Sequence, residues 1–300
     1  MKWRLKDLVS VQIPQSEAPF AVPIESESGV VGPEFIRWLA ERMGGLFERD
    51  PDDIGLMDDF SVLRGPWLDP ERVHPLIVEF YEHTMRFTLS VKPDWHRRWL
   101  PLFWIFRRGF AERVGQFTLP FDIEDERRGV EAHIDTIDVD RDEITDIRGW
   151  VRTYAGTEET IYVGIYAALR LDDLGYVTVG FPLPNANLTA TLVPANAGED
   201  GFLLRTGEKQ ARYAGHYLVT VDERTTNLCV FRLRGFREEL EVRVEDGNLF
   251  ADHRFSFLWR TFLTLEYRIE RRPALPERTR AQELIRAAAS HDVQADSASL

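Results

Sequence analysis

The sequence predicts an α+β protein in which a mostly antiparallel curved β-sheet or β-barrel carries an N-terminal helical cap. Three observations point there. From about Val130 apolar residues recur at every second position, as in Ile161-Tyr-Val-Gly-Ile-Tyr-Ala-Ala-Leu169, which is the period of a sheet with one wet and one dry face. The connections between such runs have hairpin length, and Asp246-Gly247, between Glu239–Val244 and Leu249–Phe255, is a strong turn signal. Before residue 116 the apolar spacing is helical instead. Roughly nine to eleven strands linked in this way must curl or close to protect their edges.

Taken in order, residues 1–31 hold Pro14, Pro19, Pro23 and Gly29 among short apolar stretches and read as an arm laid across the fold. A first helix starts at Gly32-Pro33-Glu34, with Phe35, Ile36, Leu39, Met43, Leu46 and Phe47 as its apolar stripe, and Gly44-Gly45 weakens its last turn. A second begins at the N-cap Asp69 and Pro70 and carries Val73, Leu76, Ile77, Phe80, Tyr81 and Thr84 on one side, although Pro75 limits the regular helix before it.

The third helical region, 93–110, is divided or kinked by Pro101; Trp95, Trp99, Phe103, Phe106 and Phe110 line one side, with Arg97, Arg98, Arg107 and Arg108 elsewhere. It reads either as an interfacial helix meeting anionic lipid or as a buried helix whose arginines pair with Asp122, Glu124, Asp125 and Glu126. The buried reading carries more weight, because long cationic side chains commonly snorkel from apolar helices of soluble proteins.

Strands are expected near 130–134, 144–154, 161–169, 176–180, 188–193, 201–204, 213–221, 228–233, 239–244, 249–255 and 263–270. Pro182 and Pro184 cannot donate to a ladder, so Phe181-Pro-Leu-Pro-Asn-Ala-Asn187 should leave the sheet or run along an edge or rim, and either X–Pro bond is a candidate for the cis form. A short helix near Pro276–Ala289 and a small, polar tail at 290–300, composed like a disordered end, follow. The expected organisation is an arm and helical cap over 1–115, a sheet or barrel over 116–272, lipocalin-like in general shape, and a terminal helix and tail over 273–300.

With 300 residues, 44% of them hydrophobic, and 19 Phe, 8 Trp and 8 Tyr, the chain has ample material for a large core. Its net charge of -13 repels phosphate backbones and argues against nucleic acid as a partner. Cys229 is the single cysteine, which excludes an intrachain disulfide and a cysteine-rich zinc site and suits a reducing compartment. The seven-residue apolar run Leu100–Phe106 is short of the roughly 20 residues that cross a bilayer. These features predict a soluble, cytoplasmic protein, with at most peripheral membrane contact through 95–110.

No Gly-x-Ser-x-Gly elbow, phosphate-binding Gly-x-x-x-x-Gly-Lys-Ser/Thr loop or Gly-x-Gly-x-x-Gly is present, so no cofactor is implied, and although Glu79 and His83 have the spacing of two metal ligands, no second His-rich motif supplies the others, so no metal is implied. Glu79 and His83 lie one helical turn apart, spacing that suits an acid/base pair but is more often a surface pair. Asn185 and Asn187 are candidate ligand-binding amides, or turn formers. Tyr162 and Tyr166 share a strand face, and Tyr217, His216 and His253 lie within strands whose register decides whether they point inward.

The leading expectation is a binding protein for an apolar small molecule or lipid, held between a curved sheet and a helical lid, with Tyr162, Tyr166, Asn185, Asn187, Tyr217 and His253 at the site. The alternatives are a metal-independent acid/base enzyme, an isomerase, cyclase or hydrolase using Glu79, His83 or His253, and a non-catalytic interaction protein with a filled barrel.

Overall fold

Period-two patterning over the second half of the chain becomes one long sheet. A computed structural model describes residues 10–272 apart from 23, 27–28, 120–127, 158, 209, 223 and 226. Met1–Glu270 form one compact unit and Arg271–Leu300 a second, of which Arg271 and Arg272 alone are described. The expected terminal helix and tail, and the acidic residues 122–126, lie outside the described residues.

The strands are β1 (Val11–Ile13), β2 (Leu46–Glu48), β3 (Phe87–Trp95), β4 (Val130–Asp138), β5 (Ile147–Tyr154), β6 (Thr160–Leu171), β7 (Leu174–Leu183), β8 (Ala186–Ala197), β9 (Gly201–Arg205), β10 (Gly215–Val221), β11 (Leu228–Arg232), β12 (Phe236–Glu245), β13 (Asn248–Phe257) and β14 (Arg260–Arg271). They pair in the order β2-β4-β5-β6-β7-β8-β9-β12-β13-β14-β3, mostly antiparallel. The sheet is not closed into a barrel, which removes that half of the expectation. One end is β2, only three residues long, and the other is β3, which carries Lys92, Pro93 and Asp94, residues that blunt an open edge.

The sheet also forks. Asn187–Thr191 of β8 pair with β10, whereas Val193–Ala197 pair with β9, so β10 and β11 leave the main path at Leu192. Two-residue turns at Asp172-Asp173 and Asp246-Gly247 have both central residues at positive φ, as the twist of a tight hairpin requires.

The proline-rich segment stays in the sheet on a local edge, the second of the two expected places: it pairs with β8, while on its other side the β6 ladder has ended at Gly180. β7 runs through Pro182, pairs Leu183 with Ala186, and turns at Pro184-Asn185, where Asn185 has φ 54°; both X–Pro bonds are trans. The β6–β7 ladder stops at Ile165–Gly180, and the carboxamide of Gln116 takes the next place. Its Nε2 donates to Val163 O and Pro182 O, both at 3.1 Å, and its Oε1 accepts from Val163 N at 3.0 Å. A side-chain amide thus supplies the donor that proline lacks.

Helix α1 (Phe35–Met43) ends at left-handed Gly44, and α2 (Pro75–Glu82) starts at His74, whose Nδ1 accepts from Leu76 N at 3.1 Å. Asp69 caps a separate 3₁₀ turn, Pro70–Arg72. The third expected helix is shorter than its composition suggested, because Pro93–Trp95 belong to β3. Pro101 lies in the first turn of α3 (Leu100–Phe106), where a missing N–H has no helical partner to lose, so it begins the helix rather than dividing it. The chain continues through a π-helical turn, Arg107–Ala111, to Gly115.

The outer face of β4–β6 is covered by α1; at Gly149 an added Cβ would lie 2.3 Å from Ile36 Cδ1, so glycine lets the helix touch the strand. The outer face of β8 is covered by Phe20, Val22 and Ile24, with Val22 N donating to Thr189 Oγ1 at 3.2 Å and Thr191 Oγ1 donating to Phe20 O at 2.7 Å. On the inner face α2 and the segment before it bury Phe60, Phe80 and Tyr81 against Phe202, Val242, Ala251 and Leu265. These close ring contacts, about 5–6 Å between centroids, fill that part of the interior.

Candidate ligand cavity

Beside this core the inner face encloses a cavity of about 690 Å³, bordered by β3, β5–β10 and β12–β14, with Trp99, Leu102, Phe103 and Phe106 from the α3 region. Its size lies within the ~300–1,000 Å³ range of small-molecule sites. Along β13 the wall changes in order: Ala251 belongs to the α2 core, His253 reaches a polar cluster, and Phe255 and Phe257 reach toward Phe262 and α3. Trp95 stacks on Phe103 with centroids 3.6 Å apart, and Trp99 lies 5.9 Å from Phe262, which ties α3 to the β14 rim.

The lining is almost wholly apolar apart from two groups. In the first, Glu238 accepts from His216 Nε2 through Oε2 at 2.6 Å and from His253 Nε2 through Oε1 at 2.7 Å. Burial by itself would raise the Glu238 carboxyl, but the two imidazole hydrogen bonds outweigh it and hold the group well below the usual carboxylate range. His216 Nδ1 is buried without a hydrogen-bond partner among the described residues.

The second group is Arg152, only 4% exposed, in the middle of an aromatic cage. Its guanidinium carbon lies 4.0 Å from the Trp150 ring centre, 5.1 Å from Tyr162 and 5.4 Å from Tyr267. Cation–π contact stabilises a desolvated guanidinium without neutralising it. Arg152 Nε and Trp150 Nε1 are buried without hydrogen-bond partners among the described residues. Burial pushes the hydroxyls of Tyr162, Tyr166 and Tyr267 above their ordinary value, so all three stay protonated.

Of the polar residues singled out within the strands, Tyr162, Tyr166, His216 and His253 border this cavity together. Asn185 sits exposed on the β7–β8 turn, with its backbone N–H on Ser26 O. Asn187 is buried on the opposite face of β8, donating to Ile24 O at 2.8 Å and accepting from Thr189 Oγ1 at 2.8 Å. Tyr217 also faces away, its ring tilted against Phe20 at 4.9 Å and its hydroxyl donating to Tyr213 O. Glu79 and His83 stand outside the cavity in a surface ion-pair group, Glu79 with Arg86 at 3.3 Å and His83 with Asp53 at 3.2 Å.

Arg152 and Glu238 were missed, although each leaves a trace. Glu238 is in phase with Leu240 and Val242, a lone carboxylate on the apolar face of β12, and Arg152 is in phase with Trp150 on a strand buried along its whole length. The buried-helix reading of 93–110 is also corrected. No residue of α3 is fully buried, and Leu102, Trp104, Ile105 and Phe106 are exposed.

No family model and no solved structure matches the chain. It is 30% identical over 215 residues to the uncharacterized membrane protein YndJ of Bacillus subtilis (strain 168); the match covers 72% of this chain and 38% of that protein. This chain therefore spans well under half the length of its curated relative. The expectation of a soluble cytoplasmic protein is overturned by that relative, a membrane protein. Among the described residues no helix is long and apolar enough to cross a membrane, and neither charge balance nor cysteine count reports on interfacial contact or on strands.

Proposed function

We propose that this chain binds a lipid-like apolar ligand in the cavity and works against a membrane surface. The observation that carries the reading is the cavity itself, about 690 Å³ of apolar wall with two polar groups deep inside. In this reading the curved sheet is lipocalin-like in general shape and α3 acts as the lid over its mouth. The membrane side is supported by exposed apolar residues on one rim: Ile105 (61%) and Trp104 on α3, and Leu258 and Trp259 (80%) at the β13–β14 turn. Arg97, Arg98 and Arg108 are exposed on the same segment and offer charge to anionic headgroups. The membrane naming of the Bacillus relative points the same way.

Native mass spectrometry of the purified protein, paired with thermal unfolding in the presence of long-chain lipids, tests the binding half. A co-purified lipophile or a raised Tm supports it; a ligand-free protein with an unmoved Tm across a lipophilic series ends it. Flotation with phosphatidylglycerol vesicles tests the membrane half, and recovery of all protein in the lipid-free fraction ends that.

A second reading, an acid/base enzyme acting on such a ligand, is favoured by one observation. Glu238 orients two imidazoles at the cavity wall, and a carboxylate-held histidine is a competent general base. Turnover of a lipophilic ester or isomerisable substrate that Glu238→Gln abolishes while binding persists would establish it.

A further inference from the structure

We infer that the cavity selects amphiphiles with a single anionic head, a carboxylate or a phosphate monoester, seated on Arg152. The inference rests on the lipid-binding reading and deepens it by naming the ligand's chemistry.

Arg152 projects from β5 into the apolar cavity, nine-tenths or more buried, and cannot shed its proton. Its guanidinium lies against three aromatic rings, at 4.0–5.4 Å, and hydrogen-bonds the neutral Tyr267 hydroxyl, but no carboxylate pairs with it among the described residues. The nearest candidate on the cavity wall, Glu238, has each oxygen committed to a histidine, at 2.6 and 2.7 Å. Folding that only needed to fill this space would place an apolar side chain here, since an unpaired buried charge is strongly unfavourable.

A ligand anion supplies what is missing. Arg152 Nε and Trp150 Nε1 are buried donors on β5 without acceptors among the described residues, and a planar guanidinium matches carboxylate and phosphate oxygens through paired N–H groups. The protonated hydroxyls of Tyr162, Tyr166 and Tyr267 surround the same point, Tyr162 bonded to Tyr166 and Tyr267 accepting from Arg152, which leaves the Tyr166 and Tyr267 protons for a ligand anion. The wall away from this cluster, toward Phe255, Phe262 and α3, is apolar and suits a hydrocarbon tail. The geometry fixes polarity: head inward at β5, tail toward the exposed rim.

The test is a competition assay against a fluorescent fatty-acid probe at pH 8, with palmitate, hexadecyl phosphate and hexadecanol as competitors. These share one chain and differ in head. Wild-type protein is expected to bind the two anions ~10-fold or more tightly than the alcohol. Which of the two binds better separates a carboxylate from a phosphate source. Arg152→Met should reduce this preference to within about twofold while retaining hexadecanol binding, and Arg152→Lys should keep part of it. Equal affinity of wild-type protein for all three competitors overturns the anionic head while leaving lipid binding intact. Displacement by none of them overturns both. Because the wild-type comparison decides the matter, the result does not depend on a variant that folds.

Discussion

Glu238 on β12 is held by histidines from two branches of the sheet: His216 on β10, at 2.6 Å, and His253 on β13, at 2.7 Å. β10 has left the main path at the fork in β8, so the His216–Glu238 bond spans a gap that no ladder crosses. Thr206 adds to the same joint, with its Oγ1 accepting from Glu238 N at 2.9 Å. A buried carboxylate with both oxygens engaged is worth more in place than its replacement by any group that satisfies one partner.

Glu238→Gln is therefore expected to lower stability by about 1–3 kcal/mol, because an amide cannot accept from both imidazoles through two oxygens. Urea unfolding at pH 7 measures it. Equal midpoints would show that the cluster contributes nothing to the fold.

The same residue sets an acid limb. Its folded pKa is depressed, so the unfolded chain binds the extra proton and the carboxylate's stabilisation is present above the ordinary carboxylate value and lost as pH falls through the folded one. The stability gap between wild type and Glu238→Gln should be widest near neutrality and should narrow as pH drops below about 4.5. A gap that stays constant from pH 7 to pH 3 contradicts this.

Gln116→Ala removes the amide that bridges Val163 and Pro182 where the β6–β7 ladder ends. About 1–3 kcal/mol of destabilisation is expected from the buried groups left unpaired. Hydrogen exchange at the Val163 amide should accelerate more than at Ile165, which keeps its strand partner Gly180. Unchanged exchange at Val163 would refute the bridging role.

Gly175 and Gly156 should separate crowding from backbone strain. An added Cβ at Gly175 would lie 2.4 Å from Leu63 Cα, a backbone atom that cannot swing away, whereas at Gly156 (φ 67°) it meets nothing within 4 Å. Gly175→Ala should cost about 1–3 kcal/mol or more, and Gly156→Ala only the left-handed penalty of about 1 kcal/mol. Chemical denaturation that ranks them the other way would be inconsistent with the packing of the 60–63 turn on β7.

Trp259→Glu and Ile105→Glu alter exposed side chains and should leave stability within about 0.5 kcal/mol. Both should reduce flotation with phosphatidylglycerol vesicles. If they float as wild type does, the rim is not the membrane-facing surface.

The sheet was readable because alternation and turn chemistry are local. Leu263–Glu270 alternates along the chain, and Asp246-Gly247 is a two-residue hairpin turn whatever surrounds it. The helix at 93–110 was misjudged because apolar residues suit a strand end, an exposed rim and a core alike. Pro182 falls on a local edge, as the rule against proline in a ladder requires, and what local sequence could not show is that Gln116 fills the place there.

By itself, then, the sequence determined where the chain is extended, where it turns and how much apolar surface it must hide. The tertiary structure alone decided which side of each strand faces the cavity. β5 and most of β8 are buried on both faces, β5 under α1 and β8 under Phe20, Val22 and Ile24, so the wet–dry contrast that would reveal register is erased there. A shift of one residue separates His216 at the cavity from Tyr217 on the outer face, and Leu188 at the cavity from Asn187 beneath the arm. Trp150 and Tyr162 are local neighbours of Arg152, on its own strand and opposite it on β6, but only the coiling of the sheet could bring in Tyr267, 115 residues further along the chain.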